Sequence, residues 1–134
     1  MTGLLHAHSG LRYLVLLAAA AHLVVCLLGL AKKQPPGKLN RVLSVVLLSL
    51  VHTQVLVGLA LVGLGRFFPQ LWGHLVPMLM AAAAVTVFPA VNKRRAEPRW
   101  SIALVGTLTA LALVVTGILA LGRSPLAMTV VGGP

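Results

Sequence analysis

Four long apolar stretches alternate with short polar segments along the chain, at about residues 9–31, 42–64, 71–91 and 101–121. Each approaches the roughly 20 residues that an α-helix needs to cross about 30 Å of hydrocarbon. Helices are the expected structure, because open strands leave backbone groups without hydrogen bonds in lipid. The pattern therefore predicts one all-α transmembrane domain over residues 1–134 with four membrane spans.

The polar connections between the stretches are short. The first, at residues 32–41, contains the helix breakers Pro35, Pro36 and Gly37. Short connections favour antiparallel neighbours, so we expect an up-down-up-down four-helix bundle. Small residues in the spans support close helix packing: Gly58, Gly63, the alanines at 81–84, Gly106 and Gly117.

Composition strengthens the membrane prediction. Hydrophobic residues make up 59% of the chain and charged residues 9%, with mean hydropathy +1.01. A soluble domain carries about 25% charged residues, so much of this surface is expected to face lipid. The net charge of +10 comes from 11 basic residues against one acid, Glu97. Because the basic residues cluster between apolar stretches, we do not expect nucleic-acid binding.

The basic residues also predict an orientation in the membrane. Eight of the 11 lie in residues 32–41 and 92–100, and the other three are Arg12, Arg66 and Arg123. Loops rich in Lys and Arg stay in the cytoplasm. We therefore expect an integral protein of a bacterial inner (plasma) membrane. Its loops 32–41 and 92–100 should be cytoplasmic, and both termini should lie on the outer side.

No acidic residue lies in any of the four stretches, and the only cysteine, Cys26, lies inside the first. This argues against conventional acid–base catalysis and favours an electron carrier or a subunit over a stand-alone enzyme. Ionisable groups in a membrane are costly and usually functional, and neutral imidazole is a common haem ligand. The candidates are five histidines: His6, His8, His22, His52 and His74.

Position along the helices suggests how the histidines pair. His8 and His74 both lie at the end of a stretch on the expected outer side, so they are predicted to face each other across one haem. His22 lies about 20 Å inward from residue 9, and His52 about 18 Å inward from residue 64. They would share a level near the midplane, which offers a second haem site. On the first helix, the spacing of 4, 14 and 18 residues predicts one stripe for His8, Arg12, His22 and Cys26.

Each candidate also has a structural interpretation. Arg12 is either a haem-propionate partner or an arginine that snorkels to the interface. His22 is either a ligand or a core histidine bonded to a serine or a carbonyl. Gln54 bonds another helix or a quinone. His6 is an interfacial residue or, with His8, an outer Cu or Zn site.

Three motifs carry a resemblance to a known family. Residues 5–13 read LHAHSGLRY, residues 52–59 read HTQVLVGL, and His74 opens the third span. The chain thereby resembles small four-span bacterial membrane proteins labelled cytochrome b-like. The resemblance implies haem b and marks seven positions: His6, His8, Ser9, Arg12, His52, Gln54 and His74. Gly73 stands where that family has Glu, and His22 lies outside its pattern.

The leading hypothesis is a haem b-binding electron-transfer protein with one or two haems, linked to quinone, a redox protein partner or a larger respiratory complex. One alternative is an accessory subunit of a membrane redox or photosynthetic complex. Another is handling of Cu or Zn at the outer His-x-His of His6 and His8. The candidate ligands of haem iron or another metal are His8, His74, His52 and His6.

Overall fold

The computed structural model describes residues 2–123, which form four α-helices and one short 3₁₀ helix. The helices are α1 (Thr2–Lys32), α2 (Lys38–Gly63), α3 (Trp72–Lys93) and α4 (Trp100–Leu119), and the 3₁₀ turn is Pro69–Leu71. All four α-helices are long and apolar enough to cross a membrane. The prediction of an all-α integral membrane protein is confirmed, while the predicted domain 1–134 extends beyond the described residues at both ends.

The first helix begins much earlier than its apolar stretch. It starts at Thr2 instead of residue 9, because the polar residues before the stretch include no proline and the helix continues through them. His6 and His8 are therefore helical residues whose directions are fixed by α1.

Breakers in the sequence end the first two helices. Lys33 follows α1 with φ at 55°, the left-handed conformation that commonly terminates a helix, and Pro35 and Pro36 cannot continue it. Gly65 follows α2 with φ at 91°, a conformation that glycine adopts without steric cost.

The loop between α3 and α4 is fixed by one side chain. Buried Asn92 accepts a hydrogen bond from the backbone N of Arg99 at 2.8 Å and donates one to the Arg99 carbonyl at 3.1 Å. The indole of Trp100 donates to the Gln34 carbonyl. These contacts join the loops at residues 33–37 and 94–99 at one end of the protein.

Each helix packs against two others. α1 contacts α2 and α4, and α3 contacts the same two helices. The core between them is apolar and rich in small side chains: Val15, Ala19, Leu47, Val51, Met78, Ala81, Ala84, Val85, Ala110, Val114 and Ile118. Many leucines and valines, such as Leu17 and Leu56, are instead exposed, as expected for surfaces that face lipid.

Two of the predicted packing glycines lie at close contacts between α3 and α4. A Cβ at Gly106 would lie 2.5 Å from Cβ of Phe88, and one at Gly117 would lie 3.3 Å from the His74 carbonyl oxygen. The predicted packing role of Gly63 is wrong, because a Cβ there meets nothing within 4 Å. Gly63 is the last residue of α2 and is exposed.

Candidate functional site

The rings of His8 and His74 lie next to each other, with centroids 6.2 Å apart and planes at 83°. His8 comes from the second turn of α1 and His74 from the first turn of α3. Both side chains are partly buried. The predicted proximity of these two histidines is confirmed.

The orientation of His74 is set by α4. Its Nδ1 lies 2.9 Å from the carbonyl oxygen of Gly117. A carbonyl oxygen only accepts hydrogen bonds, so Nδ1 carries the proton and Nε2 of the neutral ring has a free lone pair. A backbone carbonyl that fixes the tautomer in this way is the usual partner of a metal-ligating histidine.

The His8 ring lies against α2. A Cβ at Gly58 would lie 3.0 Å from Cε1 of His8, so the absence of a side chain at position 58 allows the ring edge to approach the helix. Gln54 Nε2 donates a hydrogen bond of 2.8 Å to the His8 carbonyl. Within residues 2–123, buried His8 Nδ1 and Gln54 Oε1 have no hydrogen-bond partner. An unsatisfied buried polar atom costs about 1–3 kcal/mol, so two in one place point to a ligand site.

A cavity of about 160 Å³ adjoins the two rings, and we call it the His8–His74 cavity. A second space of about 60 Å³ lies beside it and also borders Arg12. Arginines 66 and 123 line the larger space. The polar and small residues around the larger space are His8, Ser9, Gln54, Gly58, Arg66, His74 and Arg123.

The rings of His8 and His74 form an edge-to-face pair. Imidazole nitrogen is a common protein ligand of haem iron, so these two side chains are the ones that would hold such a group. The donor set therefore fits a haem iron. The enclosed volume of about 160 Å³ is below the roughly 300 Å³ at which cofactor pockets begin, so a whole macrocycle requires the surrounding helices to move apart.

Arg12 is inside the bundle. It is 6% exposed, its Nη2 donates a hydrogen bond of 2.9 Å to the Tyr13 hydroxyl, and its Cζ lies 4.7 Å from the Tyr13 ring centroid. The guanidinium is therefore packed inside the protein, and it borders the same small space as the two histidines.

His22 is a fully engaged core residue. It is 2% exposed, and its Nε2 lies 2.7 Å from Asn40 Oδ1 and 3.4 Å from Ser44 Oγ. Because an amide oxygen only accepts, Nε2 donates to Asn40, and Nδ1 of the neutral ring accepts from Thr107 Oγ1 at 2.7 Å. Both ring nitrogens are occupied, which favours the structural interpretation of His22 over a ligand role.

The predicted midplane pair of His22 and His52 is wrong. His22 contacts α2 at Asn40, which is 12 residues before His52 and therefore about 18 Å away along the helix. The prediction measured depth from the ends of the apolar stretches, whereas α1 extends to Thr2. Counted from the helix ends at Thr2 and Gly63, His22 is 20 residues inward and His52 only 11.

His52 instead links α2 to α3. Its Nε2 lies 2.9 Å from Thr86 Oγ1, and Thr86 itself donates to the Ala82 carbonyl at 2.7 Å. The threonine hydroxyl has therefore used its proton, and it accepts from His52. The other histidine of the first motif, His6, is exposed, because a shift of two residues turns it about 200° from His8 on the helix.

The structure adds polar partners that the sequence did not single out. They are Asn40 and Thr107 around His22, the Gly117 carbonyl on His74, and Thr86 on His52. Thr107 and Thr109 are two residues apart on α4 and look alike in sequence. Packing alone buries Thr107 to 4% exposure, while Thr109 is half-buried and bonds its own helix.

Comparisons with known proteins add no constraint. No protein-family model, curated protein or solved structure matches the chain. The resemblance carried by residues 5–13 and 52–54 therefore stays a prediction, and the geometry of His8 and His74 is the basis for a functional proposal.

Proposed function

We propose that the protein binds one haem b through His8 and His74 and transfers electrons within the membrane. The observation that carries the proposal is the proximity of the two histidines, together with the buried His8 Nδ1 and Gln54 Oε1 that have no hydrogen-bond partner among residues 2–123. Haem, when bound, supplies one-electron redox chemistry. The family resemblance points to the same cofactor.

The number of ligands favours haem over a bare metal ion. Zinc sites use three or four protein ligands, and among residues 2–123 no group of three or more His, Cys, Asp and Glu side chains is placed to hold an ion. A haem would bring most of the iron's ligands in its own macrocycle, so His8 and His74 would suffice to hold it.

The surrounding residues have separable roles in this proposal. The Gly117 carbonyl orients His74, and Gly58 admits the His8 ring. Arg12 lies beside the histidines, where a guanidinium suits a haem propionate. We propose a quinone or a redox protein as the electron partner.

We further propose an up-down-up-down bundle in a bacterial inner membrane, with the loops at residues 33–37 and 94–99 in the cytoplasm. The helix contacts support the alternating directions: early in α1, His8 contacts Gln54 late in α2, whereas later in α1 His22 contacts Asn40 early in α2. The positive-inside rule supports the orientation. In a Cys26→Ser background, an impermeant thiol reagent should label Arg66→Cys but not Lys33→Cys in intact cells.

The cofactor proposal is tested by absorption spectroscopy of the full chain purified after haem-replete expression. We expect a Soret band and a reduced α-band typical of six-coordinate haem b. His8→Ala and His74→Ala would each remove one of the two side chains that hold the iron, so each should convert the spectrum to a high-spin form or lower haem content. His6→Ala should leave the spectrum unchanged.

Two outcomes would contradict the proposal. The first is purified wild-type protein without a Soret band. The second is a haem spectrum that His8→Ala and His74→Ala leave intact but His52→Leu alters, since the ligand would then be His52. Metal analysis of the same samples distinguishes haem iron from bound Cu or Zn.

A further inference from the structure

A larger cavity lies at the opposite end of the bundle from the His8–His74 pair. It has a volume of about 630 Å³ and is lined mainly by α2 and α3, with further residues from α1 and α4, and we call it the His22 cavity. Its lining includes Pro36 and Pro98 from the loops at residues 33–37 and 94–99. The volume lies within the range of about 300–1,000 Å³ that is typical of ligand sites.

The walls of the His22 cavity are mostly apolar, and its side is open. Leu47, Leu48, Val85 and Phe88 form part of the wall. Val45, which is 60% exposed, also lines it. The cavity therefore opens sideways between α2 and α3, where the exposed apolar helix surfaces are expected to meet lipid. A ligand with an apolar chain can enter along this route without crossing water.

The loop end of the cavity is basic. Arg41 of α2 and Lys93 of α3 both line it, and no acidic residue is among the described lining residues. The sequence has one acid in total, Glu97, against 11 basic residues. A ligand that carries a negative charge next to an apolar chain complements this arrangement.

The polar residues that line the cavity are held in place by hydrogen bonds. Asn40 and Ser44 line the space, and the Asn40 oxygen is occupied by His22 Nε2. The Asn40 side chain can therefore offer a ligand its amide N–H groups, and such donors suit an ester carbonyl. His22 and Thr107 form a hydrogen bond with each other, which fixes the position of His22 and, through it, of Asn40.

We propose that the His22 cavity binds an acidic phospholipid, with the phosphodiester between Arg41 and Lys93 and an acyl chain along Leu48, Val85 and Phe88. Basic pockets between transmembrane helices bind the head groups of acidic lipids by this combination of charge and apolar wall. The proposal is independent of haem binding, because it uses different residues at the other end of the protein.

The test measures lipid binding to the full chain in mild detergent, by native mass spectrometry and by thermal unfolding. Phosphatidylglycerol should bind and raise the unfolding temperature, whereas phosphatidylcholine with the same acyl chains should bind much more weakly. Arg41→Gln and Lys93→Gln should each weaken phosphatidylglycerol binding roughly fivefold, and the double variant about 30-fold, at about 1 kcal/mol per basic residue.

The matched control is Lys32→Gln/Arg95→Gln, which removes the same charge from the same end of the bundle at positions that do not line the cavity. It should keep near wild-type affinity. An equal loss in both double variants would overturn the proposal, because binding would then follow net charge. Equal binding of the two lipids, or equal stabilisation by soluble glycerol phosphate, would also overturn it. Ala90→Phe narrows the cavity without changing charge and should weaken lipid binding in protein that remains helical.

Discussion

Thr107 of α4 donates a hydrogen bond of 2.7 Å to Nδ1 of His22 on α1. On its other side, the same ring donates to Asn40 of α2. One imidazole thus joins three helices at a buried position. Because each polar group there is satisfied by another, removal of any one leaves a buried partner without a hydrogen bond.

Thr107→Val should therefore destabilise the protein. Valine keeps the shape of the side chain but has no donor, so His22 Nδ1 is left buried and unsatisfied at a cost of about 1–3 kcal/mol. The measurement is reversible unfolding in detergent. Thr109→Val is the matched control, since its hydroxyl donates to the Val105 carbonyl of its own helix at 2.7 Å. An equal loss in the two variants would show that the His22 contact contributes nothing.

The His52–Thr86 hydrogen bond should add a small increment to stability. Interhelical hydrogen bonds in membranes contribute about 0.6 kcal/mol on average and at most about 1.7 kcal/mol. We expect His52→Leu and Thr86→Val each to cost an amount in this range. In a double-mutant cycle the second substitution should cost less than it does alone, because the 2.9 Å bond between the side chains is already lost. Strict additivity would contradict a direct contribution of this bond.

Gly106→Ala tests the close packing of α3 and α4. The new Cβ would lie 2.5 Å from Cβ of Phe88, an atom that moves only with its backbone, so the helices must separate. Overpacking of this kind costs about 1–3 kcal/mol. Gly10→Ala, with nothing within 4 Å of its Cβ, should be neutral or stabilising by about 0.5–1 kcal/mol. Similar unfolding free energies for the two variants would contradict the packing argument.

The fold was largely predictable because its strongest determinant is local. About 20 apolar residues in a row specify a membrane helix wherever they occur, and the breakers at Pro35, Pro36 and Gly65 place the ends. The start of α1 was missed because hydropathy reports on lipid exposure, whereas a helix continues through polar residues as long as its backbone bonds allow. The extension to Thr2 then shifted the level of every residue counted along α1.

The site was predictable only in part, because the sequence does not give the register of one helix against another. His8 and His74 each lie close to a span end, so their proximity survives an error in register. His22 and His52 lie far from any end, and their predicted pairing depended on the register of α1 against α2. That register is set by side-chain packing, such as the approach of His8 to Gly58. Sequence periodicity indicates on which face of a helix a residue lies, but it does not indicate how deep in the bundle that residue is.

Gly58→Val tests the ligand site without removal of a ligand. Even one Cβ at position 58 would lie 3.0 Å from His8 Cε1, and valine adds two methyl groups, so the ring must turn away from α2. A displaced His8 ring would no longer be placed beside His74 to bind the same iron. At the usual overpacking cost of about 1–3 kcal/mol, haem affinity should fall about tenfold.

Haem titration of the apoprotein, followed at the Soret band, measures this affinity, and circular dichroism checks that the helices are intact. Gly63→Val is the control on the same helix, because position 63 is exposed and meets nothing within 4 Å. It should bind haem as the wild type does. If Gly58→Val protein is folded and keeps wild-type haem affinity, then the His8 ring does not bind the iron from its position beside Gly58. That result would leave the proposal of lipid binding in the His22 cavity unaffected.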